Sequence, residues 1–370
     1  MELINRTPLQ AFAFRQFDRN GKLDCVVAVR GTFLHRQGEV VALSAEQEGF
    51  QWTDAYVGDP HEGIMLRQTD LTPEKPGTDI TFLGNTYPPN GQASKSWTCS
   101  LRVGAKEKSL RVYGERHWRP ILKDVRAGFS NGHPEGILQD WSLDGPLPAA
   151  RVPLDWHHAY GGTVPGTGDI EREIRPDVET ANPLGCGIVN SHFEADIAGI
   201  RAPSIMAVDE TNLDWRTRYR PEGFGPISPW WRPRQQYAGT YDDAWLAHRH
   251  PLLPLDFDPH FWQCAHPDLI AEPWLKGDED YALSNLHPDL PLAHGRLPGV
   301  TLGVRCEQEG SDKWFLSSLD GVQFDWREGE TVLLTWRARF PLPEADDVRL
   351  TLNRVVFSQE ERRQVEAQEA

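Results

Sequence analysis

Cysteines are few and scattered. The 370-residue chain holds five, Cys25, Cys99, Cys186, Cys264 and Cys306, and no two form a C-x-x-C pair. An odd number at wide spacing implies neither a disulfide framework nor a zinc ribbon, and fits a reducing compartment. No run approaches 18 consecutive apolar residues, so no membrane insertion is expected. The opening MELINRTPLQAFAF has no basic n-region followed by a long apolar core, so no secretory signal is read and the expected location is the cytoplasm. G-x-S-x-G, H-E-x-x-H and G-x-x-x-x-G-K-[ST] are all missing. GCGIVN and GTGDIE each supply only two glycines of G-x-G-x-x-G. The enzyme classes those motifs mark therefore have no positive support, and no catalytic residue or cofactor is assigned. No repeat at solenoid or propeller spacing is present.

Positive charge is also in deficit: 38 Lys and Arg stand against 54 Asp and Glu, a net charge of −16. Such a surface repels phosphate backbones, which makes direct binding of nucleic acid a poor expectation, and it would steer a basic protein partner. What the chain has in quantity is glycine (32), proline (29) and tryptophan (14). That suits many short elements joined by defined turns around an aromatic core.

Period-two alternation dominates both ends. In WTCSLRV, Trp97, Cys99, Leu101 and Val103 share one face, and after a polar turn at 104–108 SLRVYG returns as the second arm of a hairpin. VLLTWRARF and VRLTLNRVVF alternate in the same way near the end. Further strands are expected at 23–33, 38–43, 78–87 and 152–160. One short helix is expected in TYDDAWLAHRHP, with Thr240 as N-cap and Pro251 as stop. The expected fold is mainly β, with sandwich-like or twisted antiparallel sheets, long loops and few short helices. Residues 1–150 form an N-terminal β-rich lobe and 151–300 a lobe rich in loops and aromatics. The strands of 301–358 pack back on the N-terminal half, and 359–370 is a polar tail.

Three clusters carry chemistry-bearing residues. DWHHAYGG, residues 155–162, places a carboxylate, two imidazoles and a phenol within six positions. On a strand His157 and His158 point to opposite faces, so they do not ligate one metal together; His158 and Tyr160 followed by Gly161 and Gly162 read as a strand leaving through a glycine turn. LPLDFDPHFWQCAH sets Asp256, Asp258 and His260 on one face if extended, with Cys264 and His266 close behind. Pro259 interrupts that alternation and the spacing matches no standard site, so no metal is assigned. Asp256 and Asp258 as a glycosidase pair would need a carboxyl separation that spacing cannot supply. The third cluster interleaves Phe224, Trp230, Trp231, Tyr237, Tyr241 and Trp245 with Arg232 and Arg234. These are the residue types of interface hot spots, of sugar-stacking platforms, and equally of an aromatic core.

An ordered series of stretches resembles a bacterial family catalogued as domain of unknown function 2169. The series is NRTPLQAFAF, KPGTDITFLG, LRVYGERHW, VPLDWHHAYGG, NPLGCG, PWWRPRQQYAGTYDDAWLAHRHPLLPLDFD and LSNLHPDLPLAHGRLPG, spanning about residues 5–300. The resemblance implies an accessory of type VI secretion: a non-catalytic adaptor or chaperone that binds a toxic effector, or its spike-tip domain, and helps load it onto the spike. The partner expected is therefore a secreted toxin or spike-tip protein. The candidate partner-binding residues are Trp230, Trp231, Arg232, Arg234, Tyr237, Tyr241 and Trp245. The family's motifs look chiefly structural: Lys75 with Asp79, Arg116 in GERHW, and Arg234 with Asp242 are candidates for internal charge pairs, and Trp118 belongs to the same structural set. The alternative carried from the residues themselves is a carbohydrate-binding protein or glycosidase using the aromatic platform with Asp256 and Asp258.

Overall fold

The strand Leu23–Leu34 pairs antiparallel with Gln10–Phe17 on one side and with Thr331–Pro341 on the other. From there the sheet continues through Ser311–Asp325, Leu302–Gln308 and Arg349–Arg354 to Glu2–Asn5, and Thr78–Leu83 joins Ser311–Asp325 in parallel. The sheet curls until the strands at its two ends, Glu2–Asn5 and Gln10–Phe17, touch. In this computed structural model, residues 1–123, 129–130, 133–134, 137–164, 177–188, 200–308, 311–342 and 348–355 are described. The fold is mainly β, with two short helices, α1 (Arg232–Gln235) and α2 (Asp243–His248), among the described residues. The tail expected at 359–370 lies outside them.

A second, antiparallel sheet runs in the order Ile205–Ala207, Lys106–Tyr113, Ser96–Val103, Asp280–Ser284 and Leu292–Arg296. Its alternation is as regular as the sequence: Trp97, Cys99, Leu101 and Val103 are buried and the residues between them are not. These side chains share one continuous core with Val27, Val29, Ile80, Phe82, Phe324 and Trp336 of the large sheet. Tyr281 and Phe324 meet across it at 5.0 Å between ring centroids. A smaller unit of His117–Lys123, Ile137–Asp144 and Ile200–Arg201 closes over Trp118 and Trp141.

Local chemistry departs from the simple pattern at defined places. The hairpin turn is only Gly104–Ala105, because Gly104 takes φ +56° and lets Lys106 pair at once with Val103. The strand expected over 78–87 stops at Leu83 and resumes as Asn85–Thr86, broken at Gly84, and the one expected over 38–43 shrinks to Ala42–Leu43. The helix N-cap is Asp242, whose carboxylate accepts the Trp245 N–H at 2.8 Å; Thr240 instead binds Asp256.

The DWHHAYGG stretch is corrected most. Of the strand expected over 152–160, Val152–Pro153 and Tyr160 are strand, and Trp156–His158 between them is a 3-10 turn. Asp155 causes this: its carboxylate accepts the His157 N–H at 3.1 Å and lies 2.7 Å from His158 Nδ1, giving the backbone a local alternative to a ladder. Tyr160–Gly161 then pairs in parallel with Cys186–Gly187. A Cβ at Gly161, where φ is +148°, would stand 2.2 Å from the Asn182 carbonyl oxygen. Asn182 in turn donates to the carbonyls of Trp156 and Tyr160. Gly161→Ala should therefore cost about 2–4 kcal/mol through strain and backbone displacement, read as a lowered denaturant midpoint with an unchanged slope.

Candidate functional site

Thr78–Leu83 is buried on both faces. Ile80 and Phe82 enter the apolar core, while Asp79 and Thr81 look the other way. Asp79 Oδ2 receives Lys75 Nζ at 2.7 Å and the Cys264 N–H at 2.9 Å, and Oδ1 receives the Ala265 N–H at 3.1 Å. One carboxylate thus fastens the segment at 264–265 to the sheet. Burial alone would lower the Lys75 ammonium, yet Asp79 beside it holds it above the ordinary lysine value.

Among the described residues neither Arg116 nor Arg234 forms an ion pair. Arg116 lies 3.7 Å over the Tyr113 ring and donates to the Pro203 carbonyl, beside the buried Trp118. Arg234 donates from Nε to the Phe261 carbonyl and from Nη1 to the Ile227 carbonyl, both at 2.9 Å. It is buried on α1, whereas Asp242 is exposed and capping α2, so the two cannot meet.

The aromatic segment divides by burial. Trp231 is 1% exposed and packs edge-on to Trp156 at 5.6 Å, and Phe224 is fully enclosed. Trp231 and Arg234 therefore offer no surface to a partner, a correction that follows from core packing. Trp230 is half-buried beside His61, and Tyr237 is half-buried beside His260. Arg232, Tyr241 and, in part, Trp245 remain accessible. Asp256 spends both oxygens on Thr240, at 3.0 Å to its N–H and 2.7 Å to its hydroxyl. Asp258 caps the 3-10 turn Pro259–Trp262 and lies 2.5 Å from His260 Nδ1, whose Nε2 is 3.2 Å from Glu272.

Among the described residues one group of metal-ligand types converges, and it is Glu222, His266 and Asp268. Lys108 already supplies a cation there: its ammonium contacts Glu222 and lies 2.9 Å from Asp268 Oδ2, while Arg220 lies 3.3 Å from Oδ1. This donor set is an internal ion cluster, with lysine where a metal would sit. Its one sequence signal is Lys108 sharing a strand face with Leu110 and Val112; Glu222 and Asp268, the latter in the 3-10 turn Pro267–Leu269, arrive from distant parts of the chain.

The family described as uncharacterized protein conserved in bacteria (DUF2169) matches residues 20–337. The chain belongs to that family. No curated protein and no solved structure matches it.

On this DUF2169 fold, one outward excursion stands apart. Residues 240–256 leave the body, form α2 and return, closed by the Thr240–Asp256 bond. The loop braces itself: Trp245 Nε1 donates to the Leu252 carbonyl at 2.8 Å, and Arg249 donates from Nε to the Leu253 carbonyl at 2.9 Å and also to the Arg19 carbonyl. Helices normally bury an apolar stripe, but α2 buries no residue. Tyr241, Leu246 and Leu255 are 53, 60 and 75% exposed, with Trp245 4.7 Å from Tyr241 between ring centroids. Single exposed apolar residues are ordinary; several on one self-braced ridge are not.

Two stability tests follow. Asp79→Asn should lose about 3–5 kcal/mol, because the amide keeps one acceptor oxygen but loses the charge that compensates the buried Lys75 ammonium and turns an NH2 toward another donor, measurable by urea unfolding. Burial, with Lys108 and Arg220 adding to it, pushes His266 down to about 3. An unfolded histidine takes its proton near pH 6.5. The folded value is depressed, so this contribution is present above about pH 6.5 and lost as pH falls toward 3, at no more than about 1.4 kcal/mol per pH unit. His266→Gln should flatten the stability–pH curve over that interval.

Proposed function

We propose that this DUF2169 protein is a non-catalytic adaptor or chaperone of type VI secretion. It acts in the cytoplasm, binding a toxic effector or its spike-tip domain and promoting its loading onto the secretion spike. The observation that carries the reading is the ridge at 240–256: a self-braced element that presents Tyr241, Leu246 and Leu255 outward, with Trp245 half-buried among them, without spending them on the core. An apolar centre flanked by the carboxylates of Asp242, Asp243 and Asp256 fits a partner whose contact face is apolar with a basic rim. The net charge of −16 adds long-range attraction for a basic toxin. Arg232 and Tyr237, at the base of the same stretch, extend the candidate surface. No helix among the described residues is long and apolar enough to cross a membrane.

An adaptor makes a stoichiometric complex. Tagged protein isolated from its own cells should bring down a toxin or spike-tip protein in near-equal amount; isolation without any stoichiometric partner would overturn the reading. Leu246→Asp with Leu255→Asp should weaken that complex at least about tenfold while leaving the melting temperature within about 2 °C, since both side chains are already in water. Association should slow as salt rises from about 50 to 300 mM, and a rate indifferent to salt would remove charge steering from the account.

A further inference from the structure

Residues 6–9 join the two end strands of the curled sheet, Glu2–Asn5 and Gln10–Phe17, and beside this link lies a cavity of about 270 Å³ open to solvent. Its floor is Leu9, Phe33, Val41 and Leu302, none more than 5% exposed. All four belong to the apolar core, so the cavity is a cup sunk into that core from outside. Val40 and Leu43 on its rim are 50 and 43% exposed, apolar surface left in water beside an apolar hollow.

Hydrogen bonds of the chain itself fix the walls. Asn5 accepts the Thr7 N–H at 2.9 Å and donates to the Leu9 carbonyl at 2.7 Å. The Arg6 N–H is bonded to the Leu352 carbonyl, the Val41 N–H to the Arg296 carbonyl, and the Val355 N–H to the Thr301 carbonyl. A cup held in this way is formed before any ligand arrives, so binding does not have to order it.

One charged residue lines the hollow. No Asp or Glu does, although 54 acidic residues stand against 38 basic ones in the chain. The Thr7 hydroxyl is spent between the Asn5 side-chain oxygen at 2.7 Å and the Leu9 N–H at 3.3 Å, and Pro8 and Pro298 have no N–H to offer. That leaves Arg354, at the end of Arg349–Arg354, whose exposed guanidinium has no hydrogen bond or ion pair among the described residues. Arg6, directly before Thr7, is exposed and unpaired as well.

We propose that this cup binds the alkyl chain of a free medium-chain carboxylate, with Arg354 holding the headgroup at the mouth. The apolar floor and rim select carbon over water. A lone cation with no acid in the lining selects an anionic headgroup over a neutral one. Benzene occupies an apolar cavity of about 150 Å³, or about 25 Å³ per carbon, so a space of about 270 Å³ takes a chain of about ten carbons. The site shares no residue with the ridge at 240–256 and stands without the adaptor reading.

Decanoate is the probe, and 1-decanol its neutral counterpart. Calorimetric titration of the full-length protein should show a single saturable site for decanoate, with Kd about 10–100 µM and about tenfold weaker binding of decanol. The net charge of −16 repels anions at long range, so a preference for the carboxylate reports the local guanidinium. Arg354→Gln, outside the core, should remove that preference while leaving the melting temperature within about 2 °C. Crystals grown with 10-bromodecanoate should place the bromine among Leu9, Phe33 and Leu302. No saturable binding, equal affinity for decanoate and decanol, or a preference that survives Arg354→Gln would each overturn the proposal. So would a cup filled in those crystals by a side chain of a second copy.

Discussion

The Asp79 carboxylate is the point on which two halves of the molecule depend. A strand buried on both faces normally carries apolar residues throughout, since a charge in low dielectric is expensive unless paired and hydrogen-bonded. Asp79 meets that condition through Lys75, four residues earlier, and through the backbone of Cys264 and Ala265, far along the chain. The same strand pairs with Ile270–Ala271 and in parallel with Ser311–Asp325. The irregular middle of the chain is therefore held to the sheet by hydrogen bonds to a charged group as well as by apolar contact.

Around that anchor the large sheet has two unlike buried faces. One is the shared apolar core between the sheets, where dispersion and the hydrophobic effect act without direction. The other is a layer of arginines, aspartates and threonines beneath the segment 44–76: Arg30 on Asp70, Thr32 with Gln47 and Glu48, and Gln323 on the Leu66 carbonyl. Directional bonds make this layer specific. They fix where a loop with little secondary structure of its own must lie, which apolar contact alone would leave free to slide. Removing one partner from such a layer is costly because the other stays buried and charged.

The functional reading and the fold are linked by what the long middle segment does with its aromatics. Trp156, Trp231 and Phe224 complete the core from outside the sheets. With the core complete, the excursion at 240–256 can hold its apolar side chains outward, braced by its own hydrogen bonds. An adaptor needs such a surface to be rigid before the partner arrives, because ordering it on binding would subtract from affinity.

The mainly β class, the few short helices and the alternation of Ser96–Val103 and Thr331–Pro341 were legible in the sequence, because a period of two is a local property of the chain. Family membership was legible for a related reason: seven ordered stretches specify turns, caps and close backbone approaches that substitutions rarely imitate. The glycine exit at Gly161 and Gly162 was legible, but the 3-10 turn at Trp156–His158 was not, because a single carboxylate, Asp155, outcompetes the ladder in a contest that alternation does not register. Nor were the positions of Trp231 and Arg234 inside and Tyr241 and Leu255 outside. All four sit in one stretch of similar composition, and burial there depends on which elements close over them. By itself the sequence determined which segments form strands and which residues can bear charge. Only the tertiary structure decided which charges meet, since Asp79 and Cys264, or Lys108 and Glu222, become neighbours through the packing of distant segments.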